Sequence, residues 1–154
     1  MTRGRISSLH ISKEHPTETK IDVAYPEASD LHLKLGVGAC RIKVSPGDSA
    51  AWVAGTYDDL SGALPCKVEQ QGGTLGITQE HSLANWWDVI NNPPRFDLAF
   101  GKVQPYLLTI ETGASENVFD LGGLPVTRLA MKHGCISGTV SLADLTKRSL
   151  RAKC

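Results

Sequence analysis

Three carboxylates, Glu111, Glu116 and Asp120, lie close together around Gly113. Two carboxyl groups flanking one bond are the equipment of glycoside hydrolysis. Here the flanking apolar residues alternate, so Glu111 and Asp120 take outward strand positions, where charge is solvated. His133 stands where the preceding copy of a repeat has Thr112, which predicts a half-buried ring with no orienting partner nearby in sequence. His10 and His15 fall in a polar N-terminal stretch and read as solvated. Asp58-Asp59 reads as a turn, because a Ca²⁺ site wants six or more oxygens in a defined loop. Gly36-x-Gly38 is a corner rather than a phosphate cradle, and no nucleophile elbow or Walker-type loop occurs. The expectation is no enzyme activity, no metal and no cofactor.

Trp86-Trp87 offers a different chemistry. An aromatic pair in a loop could form a platform for carbohydrate or peptide, or plug one side of a small core. The four cysteines, Cys40, Cys66, Cys135 and Cys154, make no C-x-x-C pair and have no histidine spacing to complete a zinc site. They read as free thiols of a reducing compartment, with one bridge left open for an exported chain. Cys154 does not complete a prenylation signal.

The elements that position these residues carry a repeat. Leu108-Thr109-Ile110-Glu111-Thr112-Gly113 is echoed about 21 residues later by Leu129-Ala130-Met131-Lys132-His133-Gly134. Phe119-Asp120-Leu121 is echoed by Val140-Ser141-Leu142. A fixed period of this size indicates stacked units. Leu31-His32-Leu33-Lys34-Leu35-Gly36 extends the pattern backward onto Leu108–Gly113, and Ile42-Lys43-Val44 then overlays Phe119-Asp120-Leu121. Each copy is a pair of alternating apolar residues, a glycine corner (Gly36 and Gly38, Gly113, Gly134), and a second apolar pair. Side chains i and i+2 share a strand face. Leu108, Ile110, Phe119, Leu121, Leu129, Met131, Val140 and Leu142 should therefore point inward. Glu111 and Lys132, equivalent residues one rung apart, are expected to pair on the surface, with a contribution well under ~1 kcal/mol.

Short alternating runs fill the rest: Ile21–Tyr25, Arg41–Val44, Trp52–Tyr57 and Phe96–Phe100. Pro65–Gln70 and Thr74–Thr78 meet at Gly72-Gly73 as a hairpin. Residues 79–95 read as a loop or a single helical turn. The fold class is all-β, a β-solenoid with rungs of about 21 residues. Residues 1–20 form a polar tail or first strand, 21–143 one domain, and 144–154 a basic tail, preceded by a short helix begun near Ser141–Asp144. Two rungs bury too few side chains to offset the ordering of their own backbone, so they need the N-terminal strands to complete a core.

Sixteen Lys and Arg balance sixteen Asp and Glu, which gives no global pull toward nucleic acid or anionic membrane. The tail charges alone, without an apolar face, imply weak attraction to acidic lipid. No apolar stretch reaches the ~20 residues of a membrane span. The N-terminus lacks the apolar run of a secretion signal, so the location expected by default is cytoplasmic.

Several segments resemble the toast-rack domains of bacterial cell-envelope proteins, which include the C-terminal domain of LiaF-like antibiotic-response proteins and related adhesin domains. The resemblance covers about residues 31–142. It rests on Leu35–Gly47, Gly55-Thr56-Tyr57, Gly72–Leu75 with Thr78-Gln79, Pro105–Glu116 and Asp120–Val126. It implies a β-solenoid-like rack without known catalytic residues, tied to envelope stress sensing or adhesion. The alternative is a carbohydrate-binding or carbohydrate-acting solenoid. Three departures stand out. The third corner reads Gly134-Cys135-Ile136-Ser137 rather than Gly-Ala-Gly-Glu, no membrane helix is present, and the rungs stop after Leu142. An early stop leaves an open rung edge, which invites a protein partner or self-association.

Overall fold

The computed structural model describes residues 9–12, 18–59, 64–79, 91–113, 115–133, 137–141 and 149–153; side chains are described for 18–59, 64–79, 91–113 and 115–132. In chain order the strands are β1 (Leu9–Ser12), β2 (Glu18–Val23), β3 (His32–Val37), β4 (Cys40–Pro46), β5 (Val53–Asp58), β6 (Cys66–Gln71) and β7 (Thr74–Gln79). Then follow β8 (Arg95–Phe100), β9 (Tyr106–Thr112), β10 (Ser115–Asp120), β11 (Val126–His133), β12 (Ser137–Ser141) and β13 (Ser149–Lys153). They form a seven-stranded sheet, β1-β2-β5-β8-β4-β10-β12, and a six-stranded sheet, β13-β11-β9-β3-β7-β6.

Each rung gives one strand to each sheet. The parallel stack runs β7–β8, β3–β4, β9–β10, β11–β12, with β13 beginning a further turn beside β11. Space and sequence disagree here: the chain's first rung, β3–β4, lies second in the stack. The polypeptide adds β7–β8 on one flank of it, then passes through residues 101–105 to add β9–β10 on the other. Antiparallel strands finish the β7–β8 flank, β6 on β7 and β5, β2 and β1 beyond β8.

The alternation read from sequence matches the burial. Leu75, Leu33, Leu108 and Leu129 form one row across the six-stranded sheet, and Ile77, Leu35, Ile110 and Met131 the next; all are buried. Leu98, Val44 and Phe119 face them from the other sheet. Leu121 is buried too. The register of β9 on β11 and of β10 on β12 is the one the repeat predicts.

The backward extension slips by two residues. Leu33, not Leu31, sits beside Leu108, and Val44 sits beside Phe119. The reason is the corner. Gly36 continues inside β3, while Gly38 makes the bend next to Gly113; a Cβ on Gly113 would meet Gly38 Cα at 3.5 Å. A slip of two keeps every side chain on its face, so the inward assignments survive it.

The ends differ more. The N-terminal tail contains β1, paired antiparallel to β2. The segment read as a basic tail contains β13, paired parallel to β11, so the rack does not stop at Leu142. Ser141, the expected start of a helix, ends β12. The hairpin is present, with Gly72 at φ 58° in its turn.

An aromatic cluster closes the crossing at residues 101–105. Tyr25 stacks on Trp52 with ring centres 5.7 Å apart, and Tyr106 meets Trp52 edge-on at 5.8 Å. The Gly101 N–H donates to Trp52 O at 2.7 Å, and the Tyr106 hydroxyl donates to Gly101 O at 3.0 Å. A Cβ at Gly101 would lie 2.3 Å from the Tyr25 hydroxyl and 2.5 Å from Ala51 O.

Candidate functional site

A bend between two sheets leaves peptide groups that the ladders cannot pair. At the Gly38-Ala39 bend the side chain of Gln79, at the end of β7, supplies the partners. The Gly38 N–H donates to Gln79 Oε1 at 2.9 Å, and Gln79 Nε2 donates to Ala39 O at 3.2 Å and to the Tyr57 hydroxyl at 3.1 Å. Tyr57 in turn donates to Leu64 O, and the Leu64 N–H donates to Asp59 Oδ2 at 2.8 Å. Burial raises the Tyr57 phenol well above its ordinary value, which fixes it as a neutral donor. Asp59, just past the end of β5, is thus buried and tied to Leu64.

The next rung replaces apolar interior residues by polar ones. Asn117 stands beside Ile42, and Thr112 beside Val37. Both are buried, as is Ser115. They satisfy one another: Ser115 Oγ donates to Asn117 Oδ1 at 2.7 Å, and Asn117 Nδ2 donates to Thr112 Oγ1 at 3.3 Å. Alternation alone marks these positions as inward. Their polarity hides the network from a search for apolar periodicity.

Two shallow grooves flank the six-stranded sheet at opposite ends of its strands. One, of about 470 Å³, runs over Gly36, Gln79, Glu111, Thr112 and Lys132. The other, of about 450 Å³, runs over Asp30, His32, Tyr106, Leu107 and Thr127. In the second groove His32 Nε2 lies 2.8 Å from Thr109 Oγ1. Desolvation and then the Lys34 ammonium hold the His32 imidazole below its ordinary value. Burial pushes the Cys40 and Cys66 thiols each up to about 12, which keeps them protonated.

The suspected acid/base carboxylates are divided between two outer faces. Glu111 is on the outer face of the six-stranded sheet, and Glu116 and Asp120 on that of the seven-stranded sheet. Glu116 pairs with Arg41 at 3.0 Å. Glu111 and Lys132 are register neighbours as expected, yet among the described residues no ion pair joins them. Both are exposed, and such a pair gains too little to hold two long side chains in place. Among the described residues no group of three His, Cys, Asp or Glu could hold a metal. Trp86, Trp87, Gly134 and Leu142 lie outside the described residues; His133 and Val140 are placed by backbone only, His133 beside Thr112 and Val140 beside Phe119.

The open end of the rack is the remaining feature. In strand order β12 ends one sheet and β13 ends the other, each with a parallel neighbour on one side. Residues 11–154 match the family profile of the N-terminal domain of toast-rack, DUF2154. The chain belongs to this toast-rack family. A putative cell adhesion protein from Clostridium sporogenes ATCC 15579 superposes on it with a TM-score of 0.62 at 17% identity, over 90% of this chain and 68% of that one. At such identity the likeness shows the toast-rack fold alone. A putative lipid binding protein from Parabacteroides distasonis ATCC 8503 aligns over 76% of this chain and 47% of its own, at 15% identity and a TM-score of 0.33, too distant to bear on the argument. No curated protein matches the chain. Among the described residues no helix is long and apolar enough to cross a membrane.

Proposed function

We propose that this toast-rack domain is a non-catalytic interaction module whose open end, β12 and β13, takes up further strands, in an adhesive or envelope-sensing role. The carrying observation is that, among the described residues, both terminal strands are parallel-paired on one side only. Their outward N–H and C=O groups are a template for strand addition. The buried polar groups support a structural part for the interior, since Gln79 and Asp59 bond to backbone at bends and Asn117 to Ser115 and Thr112. The likeness to a protein described as a cell adhesion protein supports the adhesive setting. The glycan reading rests on Trp86 and Trp87, and no observation on the described residues favours it over strand addition.

The occupant proposed is a second copy. Two copies joined by the same edge meet about a two-fold axis, which pairs the edge strands antiparallel. Sedimentation should therefore show concentration-dependent dimers, abolished by proline at whichever of Thr139 and Val140 turns its N–H to the open side, since neighbouring strand residues donate to opposite sides. A clean monomer at high concentration, or dimers indifferent to that change, would defeat the reading.

A further inference from the structure

The strand β13 gives the basic tail an address. Its register sets Arg151 beside Ala130 and Lys153 beside Lys132. On β11 the exposed charges are Arg128 and Lys132, with Leu129 and Met131 buried between them. Positions alternating with the buried row share the outer face. Arg128 and Lys132 are exposed on that face, and the register puts the backbone positions of Arg151 and Lys153 on it too, on strands ~4.8 Å apart. The one acid on the adjoining outward positions of β9 is Glu111. Leu107, 37% exposed, lies beside Arg128 in the same face. The seven-stranded sheet differs at this end: β10 exposes Glu116 and Asp120, and β12 carries no basic residue. A chain of zero net charge thus has a one-sided basic field.

We infer that the outer face of β11 and β13 docks on an anionic lipid bilayer. The basic positions lie on two neighbouring strands of one sheet face. No aromatic residue occupies the outward positions of β3, β9, β11 or β13, whereas single-stranded nucleic acid binding uses aromatic stacking. Exposed Leu107 adds the apolar contact that isolated tail charges lack. Rungs stack through edges, not faces, so the face stays free whether or not the open end is occupied. The inference therefore stands apart from the strand-addition proposal.

The test uses the full chain and vesicles of phosphatidylcholine with 0 to ~40% phosphatidylglycerol. Each basic residue near such a surface contributes about fivefold in affinity, and salt screens it. Co-sedimentation should rise with the anionic fraction and fall more than tenfold between ~50 and ~500 mM NaCl. The variant R128Q/K132Q/R151Q/K153Q should lose more than tenfold, and K132Q or K153Q alone about three- to fivefold with an unchanged circular dichroism spectrum. Lys43→Gln and Arg95→Gln, on the opposite sheet, should bind as the parent does. Equal binding to neutral vesicles, equal losses on both sheets, or no vesicle binding beside tight binding of soluble polyphosphate would each overturn the inference.

Discussion

At the scale of single residues, Gln79 carries the most structure for its size. It is buried, and its amide satisfies two peptide groups of the Gly38-Ala39 bend and the Tyr57 hydroxyl. Gln79→Ala strands all three, each a cost on the order of 1–3 kcal/mol when buried. A loss of at least ~2 kcal/mol by urea denaturation is expected; a loss below ~0.5 would remove Gln79 from this role. His32 provides a pH signature. Its folded value lies below 6.5, so the unfolded chain takes up a proton first as pH falls. Stability is then flat above that range and declines on acidification through it. The melting temperature of wild type should drop more between pH 7.5 and 5.5 than that of His32→Gln; parallel drops would contradict the assignment. Cys40, buried with its thiol held near 12, should resist alkylation at pH 8 until the protein is denatured, as read by mass spectrometry.

At the scale of elements, the strands were legible because their residues alternate. Leu33, Leu35, Leu108, Ile110, Leu129 and Met131 are inward as the period of two requires. The register of the earliest copy was not legible, because Gly36 and Gly38 both look like bends and only contact with Gly113 separates them. The polar clamps were hidden for another reason. Gln79, Thr112 and Asn117 sit at inward positions but have side chains that composition assigns to the surface. The rung order was hidden as well, since pairing between non-consecutive strands leaves no local signal. Its hinge is Gly101, packed against Tyr25 and Ala51. Gly101→Ala forces those groups apart and should cost about 1–3 kcal/mol, measured by thermal unfolding. An unchanged midpoint would mean that the crossing is loose.

At the scale of the whole molecule, among the described residues one flank of the stack ends in antiparallel strands and the other in the parallel strands β12 and β13. Antiparallel β6 and the β5, β2 and β1 run close the flank next to β7–β8. At the other flank β12 and β13 present ladder groups on one side, and the basic positions lie on the adjoining face. Hydrogen–deuterium exchange across a range of protein concentrations tests that difference most directly. The account predicts that amides of Gly138–Ser141 and Leu150–Lys153 gain protection as concentration rises, while those of β1 and β6 do not change. Protection gained at β1 or β6, or none gained at β12 and β13, would contradict it.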